Sequence, residues 1–322
     1  MKAAVVCLGA INVDRLYRVE NLQPFTQVVP ELQAGGEYAL TPIQEDELQA
    51  WLAKEALITG RSGGGQAANT ACALARWGLP VALAGRIGED DDGDFLFDSL
   101  AGVDCQVIRQ GTSGRAYILV DQSGERTILV APNTNDLLQP ADLPLSLIKK
   151  SQFLHLTSFV GEQPLKVQID LANRLKDGPH TSLDPGELYT RRGRLALAPL
   201  LARTETLLVT EPEWRQIGGD PFSWPDWAPK TVIIKLGPRG ARLISPTGII
   251  EAPAESTATV VDTLGAGDVF AAGWLAGRLA GLEPKAALSL ANRAAAASLA
   301  GPGRASYSGS AFLHQQLAAL RK

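Results

Sequence analysis

Short apolar runs recur along the chain, and stretches with helical spacing separate them. The first run, Ala3 to Gly9, is continuous and ends in glycine, as expected of a strand that is buried on both faces of a sheet. Comparable runs are found at residues 81–84, 153–156, 207–209 and 231–236, and helical patterns at residues 67–77, 165–175 and 195–201. This alternation predicts an α/β fold with a doubly wound, largely parallel sheet that is flanked by helices.

Two stretches interrupt the alternation and predict a second, smaller sheet. Residues 15–40 are mixed in polarity and rich in turn residues, which favours short strands over a helix. Residues 112–132 carry a β-hairpin pattern, which has no natural place in a parallel sheet. A capping box that starts at Thr41 predicts that a helix follows the first of these stretches. The predicted division is a β lid of residues 15–40 and 112–132 and an α/β core domain of residues 1–14, 41–111 and 133–322.

The composition is that of an ordinary globular protein and narrows the choice of partners. Of the 322 residues, 45% are hydrophobic and 20% charged, and the formal net charge is −4. This balance argues against nucleic acid or a membrane surface as a partner and favours small solutes. The three cysteines are widely spaced in apolar surroundings, so we expect them to be reduced and buried. Because no apolar span reaches about 20 residues, we expect a cytoplasmic protein without a signal peptide or a membrane helix.

One acidic segment and one histidine have a plain structural interpretation. Residues 89–94 are rich in aspartate and resemble a metal cluster, but acidic residues are also favoured at the start of a helix. We interpret them as the solvated first turn of a helix at 95–100. His155 lies within an apolar run and is interpreted as a core residue.

A glycine loop near the carboxyl end of the chain carries the strongest chemical signal. Residues 262–268 read Asp-Thr-Leu-Gly-Ala-Gly-Asp, and an apolar, alanine-rich stretch at 269–279 predicts a helix directly behind them. The amides of Gly265, Ala266 and Gly267 can close around an oxyanion, and the helix start adds unpaired N–H groups and a positive dipole end. Asp268 would lie beside the bound charge. The dipole favours its ionised form, so we expect a weak base, which suffices for phosphoryl transfer.

A second glycine motif, at residues 62–69, also precedes a predicted helix, and the two motifs together resemble the signatures of a known family. Residues 64–69 read Gly-Gly-Gln-Ala-Ala-Asn, and Gly78 and Gly88 follow. With residues 262–268, this pair of motifs resembles the two signatures of the ribokinase or PfkB-type carbohydrate kinases over essentially the whole chain. Trp274 departs from the second signature, where a smaller residue is usual. The resemblance implies a ribokinase-like fold with a small β lid, and ATP-dependent transfer of the γ-phosphate to a hydroxyl of a small sugar.

The resemblance also implies roles for individual residues. Asp268 matches the catalytic base, and the amides of Gly265, Ala266 and Gly267 match the anion hole. Contacts to the substrate are implied for Asn12, Asp14, Gly64, Gly65 and Asn69. Contacts to ATP are implied for Thr210, Glu213, Lys235, Gly237, Gly240 and Asn292. Thr210 stands where the family has asparagine, and Lys235 where threonine is common. Magnesium is expected with ATP, indirectly through Glu213, and Asp262 and Leu264 match the potassium loop that some members have.

Other classes of protein remain as alternatives. Gly63, Gly65 and Ala68 after the apolar residues 56–59 also fit a dinucleotide-binding pattern, which would suggest an NAD-binding oxidoreductase. That interpretation leaves residues 262–268 unexplained. A non-catalytic sugar-binding regulator on the same fold is a further alternative, against which the intact Asp268 argues. No P-loop motif is present, which excludes P-loop kinases.

The substrate remains open between a sugar and a nucleoside. No Lys or Arg lies around Gln66, which favours a neutral sugar over a phosphorylated one, although Arg115 on the lid hairpin is able to bind a phosphate. The predicted helix after Thr41 and the residues of the first motif resemble those of adenosine kinase and related nucleoside kinases. An aromatic lid surface would then stack a base, for which the candidates are Tyr17, Phe25 and Tyr38. An exposed lid edge would also allow a homodimer.

Overall fold

The structure is a computed structural model that describes residues 3–175, 178–255 and 260–321, and within these ranges the strands form two sheets. The large sheet contains β1 (Val5–Leu8), β5 (Val81–Ile87), β6 (Asp104–Arg109), β9 (Phe153–Thr157), β10 (His180–Asp184), β11 (Thr206–Thr210), β12 (Thr231–Lys235), β13 (Ala241–Ser245) and β14 (Gly248–Ala252). The small sheet contains β2 (Asn12–Val19), β3 (Glu37–Ala39), β4 (Ala56–Gly64), β7 (Gly114–Val120) and β8 (Arg126–Ala131). The helices are α1 (Pro42–Glu55), α2 (Gln66–Arg76), α3 (Asp91–Ser99), α4 (Leu145–Ile148), α5 (Glu162–Arg174), α6 (Gly186–Thr190), α7 (Gly193–Leu201), α8 (Glu211–Gln216), α9 (Ala266–Leu279), α10 (Pro284–Ser298) and α11 (Ser310–Leu320).

The large sheet confirms the predicted doubly wound architecture. Its strand order is β14-β13-β12-β11-β10-β9-β1-β5-β6, and every neighbouring pair is parallel except those that involve β13 and β14. Its strands are buried on both faces, because side chains alternate between two core clusters. Val5 and Cys7 of β1 pack under α2, α9 and α10, whereas Val6 and Leu8 pack against α5 and α7 on the other face. The continuous apolar runs in the sequence follow from this double coverage.

The small sheet has the strand order β3-β8-β7-β2-β4, and its two faces pack in different environments. One face forms its own core with α1, in which Tyr117 and Leu129 of the sheet contact Leu48 of the helix. Residues of alternate register, such as Ala116 and Val130, point to the cavity between the two sheets. The lid is therefore a helix-backed sheet with one face turned towards the large sheet.

The small sheet takes in more of the chain than the predicted lid. The hairpin at 112–132 and the capped helix after Thr41 are confirmed as β7–β8 and α1. Strand β4, however, pairs antiparallel with β2 from Gly64 opposite Asn12 to Ala56 opposite Val19. The division predicted from the sequence places residues 12–14 and 41–64 in the core domain. Pairing with β2, a long-range contact, decides their position instead.

The acidic segment at 89–94 is the electrostatic anchor of the lid. Asp92 is 5% exposed, and its carboxylate accepts three hydrogen bonds at 2.6–2.7 Å. Arg15 and Arg115 donate to Oδ2, and Arg61 donates to Oδ1. These arginines come from three neighbouring strands of the small sheet, β2, β4 and β7. The interpretation of the whole segment as a solvated helix start was therefore wrong for Asp92. Burying this carboxylate is feasible because three guanidinium groups compensate its charge.

The described part of the chain has no helix that is long and apolar enough to cross a membrane. The cysteines in it are free, with Cys7 and Cys72 buried and Cys105 partly buried. Burial raises the pKa of the Cys7 and Cys72 thiols, which makes them unreactive.

We expect Asp92→Asn to lower the free energy of unfolding by about 3 kcal/mol, because it leaves Arg15 and Arg61 without a counter-charge and removes one carboxylate from Arg115, which keeps Glu45. Equilibrium unfolding in urea, monitored by tryptophan fluorescence, measures this loss. Asp94→Asn on the same helix is the matched control, since the Asp94 side chain is 69% exposed in its pair with Arg109. Its expected cost is below about 1 kcal/mol. Equal losses in the two variants would contradict the anchoring role of Asp92.

Candidate active site

A cavity of about 250 Å³ lies between the small sheet and the carboxyl ends of the large sheet. Strand ends of the large sheet, the two glycine motifs and the inner face of the lid surround it. The predicted site residues that line this cavity are Asn12, Asp14, Gly65, Asn69, Lys235, Leu264, Gly265, Gly267 and Asp268. Folding therefore brings together residues from both ends of the sequence. This is the crevice in which open α/β sheets bind ligands.

The carboxyl-terminal glycine loop is a helix start with two free amides. Gly265 has a φ of +74°, which favours glycine, and it is the residue before the first turn of α9. The Ala266 amide donates to the Thr263 carbonyl at 3.3 Å, whereas the Gly265 and Gly267 amides have no acceptor among the described residues. The loop thus offers two unpaired N–H groups at a positive dipole end, where the sequence predicted three.

Asp268 is buried in the first turn of α9, with 8% of its surface exposed. Its Oδ2 accepts a hydrogen bond of 2.8 Å from Asn69 Nδ2. Burial raises the pKa of Asp268 to about 7, although the Asn69 bond and the charges of Lys235 and Arg304 lower it. The expectation of a weak base was wrong, because loss of hydration outweighs the helix dipole and the nearby cations. A carboxylate of this kind accepts a proton near neutral pH.

Arg304 holds the amide of Asn69 in the orientation that serves Asp268. Its Nε donates to Asn69 Oδ1 at 2.8 Å, and its Nη2 donates to the Gly64 carbonyl at 3.0 Å. Because the amide oxygen is occupied by Arg304, its nitrogen faces Asp268. Arg304 also lowers the pKa of Asp14 and Asp268. The sequence motifs did not point to Arg304.

The amino-terminal strand end provides a second buried carboxylate. Asp14 is 7% exposed, and burial raises its pKa to about 7. Its carboxylate packs directly on Gly64, where an added Cβ would lie 2.0 Å from Oδ1. Asn12 nearby accepts a hydrogen bond of 2.9 Å from Asn135, which also binds the backbone of Ile11. The close approach of the Asp14 carboxylate thus requires glycine at position 64. No sequence motif pointed to Asn135.

Lys235 reaches into the cavity from the end of β12. Its Nζ donates to Asp184 Oδ2 at 2.6 Å, and only 2% of the Asp184 side chain is exposed. The neighbouring carboxylates of Asp184 and Glu213 raise the pKa of Lys235, so it is charged. Asp184 is the last residue of β10, whose sequence His-Thr-Ser-Leu-Asp is largely polar, so a search for apolar strand runs does not find it.

The other residues matched to ATP contacts surround the cavity without lining it. Thr210 and Glu213 form a reciprocal capping box at the start of α8, so the Thr210 hydroxyl is engaged by the Glu213 amide. Gly237 and Gly240 form the tight connection between β12 and β13. Asn292 on α10 donates to the carbonyls of Ala252 and Pro253 at the end of β14. These loops all lie at one end of the large sheet.

Asp262 pairs with a cation from the lid. Arg126 on β8 donates to Asp262 Oδ1 at 2.7 Å, and the same oxygen accepts the Leu264 amide. The Gly303 amide donates to the other oxygen at 3.3 Å. The carboxylate that the sequence matched to a potassium loop therefore holds a guanidinium group in this structure. It also links the lid to the start of the glycine loop.

The lid face of the cavity is apolar and holds one carboxylate. Ile118, Ile128 and Val130 line it together with Glu37, whose carboxylate has no hydrogen-bond partner among the described residues. Burial raises the pKa of Glu37 to about 7. The aromatic candidates for base stacking were wrong, because Tyr17, Phe25 and Tyr38 pack on the opposite face of the lid with α1. Alternation along the strands places Tyr17 and Tyr38 there, whereas Phe25 lies in a short 3-10 turn between β2 and β3 that packs on the same face.

Two other sequence interpretations have a clear outcome. The glycine pattern at 63–68 begins at the end of β4, which belongs to the small sheet and pairs antiparallel with β2. It therefore lacks the parallel strand–helix–strand unit of a dinucleotide-binding fold. His155 is fully buried, with Nδ1 bonded to Ser182 Oγ at 2.9 Å, as expected of a core residue. Burial lowers its pKa to about 4, so the ring is neutral.

Known proteins with similar sequences and structures agree with this geometry. The sequence model of the pfkB family carbohydrate kinases matches residues 53–308. An ATP-dependent ribose-1-phosphate kinase of Halopiger xanaduensis is 32% identical over 239 residues, which cover 72% of this chain and 78% of that protein. An uncharacterised sugar kinase of Archaeoglobus fulgidus is 30% identical over 232 residues, 69% of this chain and 92% of the other. The crystal structure of adenosine kinase from Sinorhizobium meliloti superposes with a TM-score of 0.85 at 20% identity, over 98% of this chain and 99% of that one.

We expect Asn69→Leu to raise the pKa of Asp268 above 7, because the hydrogen bond from Asn69 stabilises the ionised carboxylate. A pH titration of carbon-13-labelled aspartate carboxyls by NMR measures this shift, with the signal assigned by its loss in Asp268→Asn. Thr70→Val is the matched control, since Thr70 donates only to the backbone carbonyl of Asp268. An unchanged Asp268 pKa in Asn69→Leu would mean that the bond is not formed in solution.

Proposed function

The chain belongs to the pfkB family of carbohydrate kinases, and we propose that it transfers the γ-phosphate of ATP to a hydroxyl of a small, uncharged sugar. One observation carries the proposal: a single cavity is lined by the hydrogen-bonded carboxylate of Asp268, by the free amides of Gly265 and Gly267, and by Asp14. These are a proton acceptor, a site for an oxyanion and an acceptor for sugar hydroxyls. Family members phosphorylate hydroxyl groups, and this combination serves that reaction.

In the proposed mechanism, Asp14 and Asn12 bind hydroxyls of the acceptor, and Asn69 and the backbone at Gly64 and Gly65 complete its site. Asp268 accepts the proton of the attacking hydroxyl as its oxygen bonds to the γ-phosphorus and ADP departs. The amides of Gly265 and Gly267 hold the charged phosphoryl oxygens during transfer. Positioning and charge stabilisation supply most of the rate in such a reaction, which is what buried, pre-oriented groups provide.

The nucleotide is assigned to the other end of the cavity. Contacts to it are proposed for Thr210, Glu213, Lys235, Gly237, Gly240 and Asn292. The support is that they cluster at the carboxyl ends of β11 and β12 and at the facing end of β14. Lys235 lines the cavity on the side of the Gly267 amide, which suits a phosphate between them. The adenine would then lie outward, towards α10.

Carboxylates near Lys235 fit a magnesium ion that arrives with ATP. The described residues hold no cluster of three or more acidic, histidine or cysteine ligands, so the protein has no all-protein metal cage there. Glu213 lies close enough to raise the pKa of Lys235, and its Oε2 accepts the Thr210 amide, which leaves Oε1 for a water molecule on the ion. Magnesium prefers one or two carboxylates together with phosphate oxygens and water. Bound to ATP, it would neutralise phosphate charge, held indirectly through Glu213.

The charges in the cavity favour an uncharged acceptor. Asp14 and Glu37 line it as carboxylates, and Lys235 is the only Lys or Arg in its described lining. Arg115 is held by Asp92 and Glu45 and does not line it. A sugar phosphate, the acceptor in the name of the Halopiger relative, would place a second phosphate beside these carboxylates. The apolar lid face, with Ile118 and Ile128, favours a nucleoside as the second candidate acceptor.

We also propose that two copies of the chain associate through the lid. Strand β4 is an edge of the small sheet, and its Leu57 and Ile58 are 65% and 56% exposed. An unpaired edge with apolar side chains can pair with a second copy.

The test of the proposed function is ADP release from Mg·ATP across ribose, fructose, 2-keto-3-deoxygluconate, fructose 6-phosphate, ribose 1-phosphate, adenosine and cytidine. We expect turnover with an uncharged sugar. Asp268→Asn should lower kcat by about 10³-fold while Mg·ATP still binds, because only the proton acceptor is lost. Since the pKa of Asp268 is about 7, we expect kcat/KM of the native enzyme to fall as the pH drops below 7 and to level off above it.

Near-normal turnover in Asp268→Asn would refute the mechanism. A preference for ribose 1-phosphate would refute the choice of an uncharged acceptor, and a preference for adenosine would move the assignment to nucleoside kinases. No ADP release with any acceptor, despite bound ATP, would refute the choice of a small sugar or nucleoside in this panel as the acceptor.

We expect the turnover rate to be the same in potassium and in tetramethylammonium chloride, because Arg126 already supplies a cation to Asp262. Arg126→Gln frees that carboxylate, so activity should fall and then recover on addition of potassium. Arg18→Gln, a substitution at an exposed position on the same sheet, is the control. Strong potassium activation of the native enzyme would contradict this assignment and support the potassium loop that the sequence suggested.

A further inference from the structure

We propose that Lys235 is a catalytic cation for the transferring phosphoryl group and that Asp184 is the residue that positions it. The inference rests on the kinase function above and adds a role to the ammonium group that nucleotide binding alone does not require. It is carried by the place of Lys235 relative to the glycine loop and by its single buried partner.

The first step is the placement of the two side chains. Asp184 ends β10 and Lys235 ends β12, and β11 lies between them in the sheet. The lysine side chain therefore crosses the end of β11 to reach Asp184 Oδ2 at 2.6 Å. The Lys235 side chain is 14% exposed, and the exposed part faces the cavity. A long, flexible side chain is thereby confined to one conformation at the floor of the site.

The second step is the distance to the glycine loop. A Cβ added to Gly267 would lie 3.4 Å from Lys235 Nζ. The ammonium group therefore lies beside the backbone of Gly267, whose amide has no acceptor among the described residues, at the start of α9. An oxyanion bound by the Gly265 and Gly267 amides would lie within reach of Lys235. Two N–H groups of the ammonium remain for such a ligand, since Asp184 is its hydrogen-bond acceptor among the described residues.

The third step is the charge balance of this part of the cavity. The carboxylates of Asp184, Glu213 and Asp268 all act on Lys235, and together they keep it protonated despite burial. One ammonium group therefore has three carboxyl groups as neighbours, and the described cavity lining holds no second Lys or Arg. A triphosphate adds further negative charge. A fixed cation beside the amides, together with magnesium, is what allows phosphate to be held and its charge to develop there.

The fourth step distinguishes catalysis from binding. As the bond between the γ-phosphorus and ADP breaks and the acceptor oxygen attacks, charge spreads over the three oxygens of the γ-phosphoryl group and the leaving oxygen. The proton of the acceptor goes to Asp268. A cation fixed beside these oxygens gains energy as that charge shifts, without having to reorganise. Asp184 contributes by removing the freedom of the lysine side chain, so its effect passes entirely through Lys235.

The test compares Lys235→Met, Lys235→Arg, Asp184→Asn and the double variant Asp184→Asn/Lys235→Met with the native enzyme. We expect Lys235→Met to lower kcat by about 10²-fold or more, as for other donors to a transition-state anion. The dissociation constant of Mg·ADP should change by less than about fivefold, since ADP lacks the γ-phosphate. Lys235→Arg should restore part of kcat. Lys230→Met, at an exposed lysine just before β12, is the matched control and should leave kcat unchanged.

Asp184→Asn should lower kcat by about tenfold in the native background and have no further effect in Lys235→Met, because it acts only through the lysine. A second readout needs no acceptor: tightening of Mg·ADP binding by aluminium fluoride, which imitates the transferring phosphoryl group. We expect that tightening in the native enzyme and its loss in Lys235→Met. Thermal melting of each variant shows whether a loss of activity comes from unfolding. If Lys235→Met is unfolded, Lys235→Arg is compared with the native enzyme instead.

The proposal is overturned if Lys235→Met keeps a near-native kcat, or if its loss is confined to nucleotide affinity. Additive effects of the two substitutions would overturn the positioning role of Asp184. These outcomes differ from a failure of the proposed function. If no acceptor is phosphorylated but the fluoride complex forms and depends on Lys235, the acceptor is wrong and the role of Lys235 stands. If Mg·ADP does not bind at all, both are refuted.

Discussion

The hydrogen bond between Asn69 and Asp268 is the contact on which the rest of the site depends. It joins the first turns of α2 and α9, which carry the two glycine motifs, across 199 positions of sequence. Asp268 can be buried at the cavity floor because this bond and the charges of Lys235 and Arg304 offset part of its lost hydration. The remaining penalty raises its pKa to about 7, the range in which a carboxylate works as a base near neutral pH. The burial of Asp268 is therefore what makes its carboxylate a stronger base.

Charge also decides how the lid meets the core. Asp92 gathers three arginines from three lid strands, and Asp262 binds Arg126 from a fourth. The apolar contacts of the lid lie mostly with its own helix α1, on the face turned away from the cavity. Ion pairs at the two ends of the lid thus hold it over the cavity, while the cavity face stays free for a ligand.

Local patterns fail where long-range pairing or burial takes over. Residues 56–64 fall within the predicted core domain, yet β4 pairs with β2 in the lid, because pairing partners are not encoded in a strand's own composition. Asp92 looks like a solvated helix start, but three distant arginines surround it. For Asp268 the helix dipole was the visible local effect, and burial, which sequence does not show, reverses its sign. Asp184 and Arg304 were missed because their partners are far away in the chain.

The sequence by itself determined the kind of protein: the alternation of apolar runs and helical patterns requires a doubly wound sheet, and two glycine motifs before helices indicate phosphate chemistry with Asp268 beside it. These features are local, since periodicity and glycine content act over a few neighbouring residues. Only the tertiary structure decided which side chains meet. It placed Arg304 on Asn69, Asp184 on Lys235 and Arg126 on Asp262, and it turned the aromatic residues of the lid away from the cavity. Those contacts depend on strand order, register and burial, which arise from the whole chain at once.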